Sequence, residues 1–87
     1  MKFYKLATPT GPDIIERFFV GQEYKIILEA TKETDTPGMA EAIWVSCLAV
    51  LKDGSCVGEF TNTPIVIPAL EYGDLVRFSI KHVKDAS

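Results

Sequence analysis

Asp53-Gly54 stands between two runs rich in apolar and β-branched residues, Glu41 to Leu51 and Ser55 to Thr61, and nothing else in the chain restricts its fold as much. Asp-Gly supplies the positive φ that a tight hairpin needs. A two-residue loop here pairs Leu51 with Cys56, Val50 with Val57, Ala49 with Gly58, Leu48 with Glu59 and Cys47 with Phe60. One face of that ribbon then carries Ile43, Val45, Cys47, Ala49, Leu51, Cys56, Gly58 and Phe60. The other carries Trp44, Ser46, Leu48, Val50, Val57, Glu59 and Thr61. The first face is the expected core, because side chains alternate strictly along a strand. A three-residue loop with a glycine bulge shifts the register by one and mixes Ser55, Glu59 and Thr61 into the apolar set, so the two-residue loop is preferred. In the preferred register the two cysteines lie roughly 13 Å apart at ~3.4 Å per residue. That is beyond the ~7 Å a disulfide tolerates, so Cys47 and Cys56 are expected to be free core thiols. Gly58, facing a small residue, is where the sheet is expected to bend.

The remaining segments fit around this hairpin. Gln22 to Ala30 alternates, with Tyr24, Ile26, Leu28 and Ala30 on one side and Glu23, Lys25, Ile27 and Glu29 on the other, which predicts a half-buried strand. Phe3 to Ala7 is a short candidate strand stopped by Thr8-Pro9-Thr10-Gly11-Pro12. Thr10 and Asp13 resemble a capping box, Pro12 suits a first helical turn, and Ile14, Ile15, Phe18 and Phe19 share one face at helical spacing. A helix over about Pro12 to Val20, closed by Gly21 and packed on the sheet, is expected. Thr31 to Gly38 has no large apolar residue and reads as a mobile loop. Ile65 to Ile67, bracketed by Pro64 and Pro68, reads as an edge or corner strand. After the turn at Tyr72-Gly73-Asp74, Leu75 to Ile80 reads as the closing strand, and Lys81 to Ser87 as a frayed turn.

With 87 residues, 7 Val, 8 Ile and 7 Thr, the chain is expected to be a single domain over residues 1–87. Its predicted class is mainly β with one short helix: a small SH3-like antiparallel barrel of about five strands with the N-terminal helix packed on it. The run Trp44-Val45, Asp53-Gly54, Gly58-Glu59-Phe60, Asn62-Thr63-Pro64, Ile67-Pro68, Leu70, Tyr72-Gly73-Asp74, Val76, Phe78 and His82 resembles a bacterial and phage family of small domains of unknown function. The likeness covers the C-terminal half, and it implies a fold but no activity and no catalytic residues.

The chemistry-bearing residues are few. A net charge of −3 gives no general attraction to phosphate backbones or anionic lipid, and no apolar run approaches the ~20 residues that span a bilayer. The first six residues lack the apolar stretch of a secretory signal, and two unpaired cysteines suit a reducing compartment, so cytoplasmic residence is expected. His82 is the single histidine, so a histidine-based active site depends on it alone. No ligand cluster indicates a metal, no glycine-rich loop indicates a phosphate-binding motif, and no cofactor is expected. Trp44 is the most informative residue: either the Phe18/Phe19 helix covers it, the favoured expectation, or it stays partly open as an anchor for a partner. In the open case Trp44, Tyr72 and Tyr24 form an aromatic groove, with Arg77, Lys81, His82 and Lys84 as a basic patch beside it. The leading expectation is therefore a non-catalytic protein-binding module of the immunity or anti-defence inhibitor type, with Trp44, Tyr72, Tyr24, Arg77 and His82 as candidate partner-binding residues. A second copy of the chain pairing at the Ile65 to Ile67 edge is a further candidate partner. The alternatives are a barrel that binds single-stranded nucleic acid, against which the net charge argues, and a small enzyme using His82.

Overall fold

A computed structural model describes residues 4–9, 15–31, 38–62 and 73–87. Among the described residues six strands form one antiparallel sheet: β1 (Tyr4–Leu6), β2 (Glu23–Ala30), β3 (Ala40–Val50), β4 (Cys56–Phe60), β5 (Leu75–Phe78) and β6 (Val83–Ala86). The path runs β1-β2-β3-β4-β5, and β6 returns to pair with β2 through Tyr24 opposite Ala86 and Ile26 opposite Val83.

That return forces curvature. In a flat sheet β5 and β6 would be four strand spacings apart, about 19 Å. Only a four-residue link containing a 3-10 turn at Ile80–His82 joins Phe78 to Val83. Five residue steps reach at most about 17 Å when fully extended, and a 3-10 turn shortens that. The sheet therefore curls into a half-barrel. Its concave face holds the core: Tyr24, Ile26, Leu28 and Ala30 from β2, Ile43, Val45 and Cys47 from β3, Cys56 and Phe60 from β4, and Val76 and Phe78 from β5.

Strands β2, β3, β4 and β5 start in the same way. Gly21, Gly38, Gly54 and Gly73 all have φ near +85°, and each stands two residues before its strand. The glycine N–H donates to a carbonyl across the ladder, and that residue's own N–H donates to the carbonyl of the residue after the glycine. The four sets are Gly21 and Gln22 on Cys47, Gly38 and Met39 on Ala30, Gly54 and Ser55 on Leu51, and Gly73 and Asp74 on Phe60, with N···O distances of 2.8–3.0 Å. These are glycine-first bulges, whose left-handed residue glycine adopts without steric penalty.

The bulge at Gly54 corrects the expected hairpin. Its loop has three residues, Lys52, Asp53 and Gly54, not two, and Val50 pairs with Cys56 and Ala49 with Val57. A second irregularity between Cys47 and Ala49 then inserts Leu48, so that Cys47 faces Gly58, Ser46 faces Glu59 and Val45 faces Phe60. Two single-residue shifts restore the original parity. Ile43, Val45, Cys47, Cys56, Gly58 and Phe60 therefore point inward as expected, whereas Ala49 is exposed and Leu51 half-buried. Ser55 does enter the interior, 7% exposed, but its hydroxyl is satisfied there by Asp53 and Arg77.

Other expectations also change. Residues 15–20 contain no helical turn, and residues 12–14 lie outside the described residues. Phe18 plugs the open end of the half-barrel, edge-on to Tyr24 at 4.9 Å and to Phe78 at 5.2 Å between ring centroids, while Phe19 points to solvent. The Phe19 N–H donates to the Tyr24 hydroxyl at 2.9 Å. Bonds to the sheet replace the intrahelical ladder that so short an amphipathic segment forms only weakly. Lys81 to Ser87 is ordered by pairing with β2 rather than frayed, and the fifth strand ends at Phe78. The expected Ile65 to Ile67 edge strand and the interior of the 31–38 loop lie outside the described residues.

Candidate binding surfaces

The convex face of the half-barrel is built of cross-strand rows. One runs Asp85, Lys25, Trp44, and the next Glu23, Ser46, Glu59, Leu75. Trp44 sits mid-sheet on β3, the longest strand, with Lys25 Nζ 5.6 Å from its ring centroid. Its backbone is held along the edge that faces the end of β4: its N–H donates to Asn62 Oδ1 at 2.9 Å, and its carbonyl accepts from the Thr61 N–H at 2.9 Å. The Thr61 hydroxyl in turn donates to Glu23 Oε2 at 3.1 Å. Trp44 is half-buried. Phe18, expected to cover it, lies on the opposite face of the sheet, so the favoured expectation of a helix over Trp44 does not hold. Leu75, 61% exposed, adds the largest bare apolar side chain of this face.

Tyr24 is not part of such a surface. It pairs with Val45 on the concave face and is buried, because the strand alternation that exposes Lys25 beside Trp44 turns its neighbour inward. The predicted Trp44–Tyr24 groove therefore does not form. Tyr72, its third expected member, lies outside the described residues.

Arg77 and His82 do come together, at one end of the half-barrel. They line a depression of about 300 Å³ with Asp53, Ser55, Ser79 and Lys81. Arg77 Nη2 donates to Asp53 Oδ2 at 2.6 Å and its Nε to Ser55 Oγ at 3.1 Å. Asp53 Oδ1 accepts from both the hydroxyl (2.6 Å) and the N–H (2.9 Å) of Ser55. These Ser55 bonds, with Arg77 behind them, hold the Asp53 carboxyl down at about 2. The Ser79 N–H donates to His82 Nδ1 at 3.1 Å, so the neutral ring carries its proton on Nε2. Partial burial, and then the charge of Lys81, lower the His82 pKa. Asp53 and Ser55 escaped the sequence reading because the two-residue loop kept Ser55 out of the interior; the bulge joins them to Arg77.

A second groove, about 310 Å³, lies beside Phe19, with Ile15, Gln22 and Ala86 along it and the Arg17 guanidinium 4.9 Å from the Phe19 ring centroid. The two cysteines are free and buried. The ~13 Å separation expected of them does not hold. Cys47 faces Gly58, two residues from Cys56, with no side chain between the two thiols, and the Cys47 thiol donates to the Ala49 carbonyl at 3.7 Å. Burial first, and then Cys47, push the Cys56 thiol pKa up. Among the described residues no group of three or more His, Cys, Asp or Glu is placed to hold a metal, and no helix is long and apolar enough to cross a membrane.

Comparison with protein-family models, with curated proteins and with solved structures returns no significant match.

Proposed function

We propose that this chain is a non-catalytic protein-binding module that acts by occupying a partner's surface, in the manner of bacterial or phage immunity and anti-defence inhibitors. The observation that carries this reading is Trp44, a half-buried tryptophan in the middle of the convex sheet face, with its N–H and its carbonyl both bonded to the Thr61–Asn62 segment. Tryptophan anchors of this kind supply a large share of binding energy in protein interfaces, and a preorganised strand loses little entropy on docking. Acidic Glu23, Glu29, Glu59 and Asp85 interleave with Lys5 and Lys25 on the same face, a mixed pattern that suits a protein better than a polyanion. Buried thiols disfavour a cysteine nucleophile. The SH3-like description belongs to this proposal and is supported by the β2-β3-β4-β5 meander and the 3-10 turn that leads β6 back to β2. The likeness of residues 43–82 to a bacterial and phage family and residence in the cytoplasm are parts of the same proposal.

Affinity capture from a host lysate tests it. The wild type is expected to retain one stoichiometric protein, and Trp44→Ala to lose it with an unchanged circular dichroism spectrum. Met39→Ala, at an exposed residue just before β3, is expected to keep it. Equal retention by Trp44→Ala, or turnover of a small molecule by the purified chain, would overturn the reading.

A further inference from the structure

Arg77, Lys81 and His82 line a single depression, together with the hydroxyl-bearing Ser55 and Ser79. In a chain of net charge −3, this convergence of cationic and donor groups sits apart from Trp44 and plays no part in the surface proposed for it. Arg77 has five N–H donors. Two are tied, Nε to Ser55 Oγ and one on Nη2 to Asp53 Oδ2, which fixes the plane of the fork and leaves three to donate elsewhere. His82 is oriented in the same way, since its Nδ1 accepts from the Ser79 N–H and its Nε2 keeps the proton. Lys81 adds a point charge from the 3-10 turn. Asp53, the one carboxylate of the lining, is turned to Arg77 and Ser55, and with Arg77 and Lys81 it leaves the lining one positive charge in excess at neutral pH.

We propose that this depression binds a phosphoryl group, with the untied N–H groups of Arg77 and the Nε2–H of His82 as donors and Lys81 as counter-charge. A planar fork already held in place matches a tetrahedral oxyanion better than a free lysine would. The ligand is either inorganic phosphate or a phosphomonoester, two sources with the same chemistry. This inference is independent of the Trp44 reading, and neither falls with the other.

Titration of the full chain at low ionic strength, followed by NMR of the His82 ring and the Arg77 side chain, tests it with inorganic phosphate in one arm and O-phosphoserine in the other. Both resonances are expected to move saturably at millimolar ligand, and the His82 midpoint to rise, because a bound dianion favours the imidazolium. Tighter binding of O-phosphoserine assigns a monoester, and tighter binding of phosphate the free ion. Arg77→Ala is expected to weaken binding about tenfold and Arg77→Lys nearly as much, since lysine lacks the fork. Should the Arg77 variants unfold, His82→Gln and Lys81→Ala carry the test, each expected to weaken binding about threefold. No response in either arm at tens of millimolar ligand would overturn the proposal, as would a response unchanged in the folded variants.

Discussion

Gly58 and Ser46 approach so closely across the β3–β4 ladder that a Cβ at position 58 would sit 2.8 Å from the Ser46 carbonyl oxygen. That oxygen belongs to the backbone of a strand paired on both sides, so it has nowhere to retreat. Gly58→Ala, which in open space would stabilise by restricting the unfolded chain, is expected instead to destabilise by about 2 kcal/mol. Urea denaturation checks the sign.

Gly54 presents the complementary case. A Cβ there meets nothing within 4 Å, but φ is +88°. Gly54→Ala is expected to lower stability by about 1 kcal/mol through backbone strain alone, and Gly54→Asn by less, because asparagine tolerates the left-handed region. Comparing both variants with Gly58→Ala in the same denaturation series separates conformational strain from steric overlap.

Those two glycines mark what the sequence made legible. Alternation in Gln22 to Ala30 and in the hairpin arms identified the inward face of β2, most of β3 and β4, because burial of Ile43, Val45 and Phe60 dominates that choice. Loop length was misread because Asp-Gly serves both a two-residue turn and a glycine-first bulge, and the compensating insertion of Leu48 leaves the parity of the core unchanged. A signal was available: Gly21, Gly38, Gly54 and Gly73 each precede a strand by two residues. The Phe18/Phe19 spacing suggested a helix because periodicity does not reveal that Tyr24 and Phe78 offer Phe18 a socket. Of the candidate site, Trp44, Arg77 and His82 were visible from residue type alone. The Asp53–Ser55–Arg77 linkage depends on the register and so was not.

Asp53 gives the fold an acid-sensitive corner. Its carboxyl pKa is depressed from 3.8 to about 2 by Ser55 and then Arg77, so its contribution is complete above pH 3.8 and is lost as pH falls toward 2. Asp53→Asn is expected to show a shallower fall in Tm between pH 4 and pH 2 than the wild type. Parallel melting curves of the two proteins over that interval are the check.

The thiols give the opposite dependence. Cys56 has its pKa raised above the ordinary 9.0 by burial and by Cys47. Its protonated form is therefore favoured in the folded chain, and its contribution is complete below pH 9.0 and lost as pH rises. Cys56→Ala is expected to be less stable at neutral pH, since it leaves a cavity, yet to lose less stability between pH 9 and 11. In the native wild type both thiols are expected to resist a disulfide reagent at pH 8, and to react fully once denatured.

The most direct measurement of the proposed function places a photoreactive benzoylphenylalanine at position 44 in the host cell. A single protein adduct is expected on irradiation, absent when the same group replaces Met39. Adducts only to nucleic acid, or equal labelling from positions 44 and 39, would contradict the assignment of the Trp44 face as a protein-binding surface.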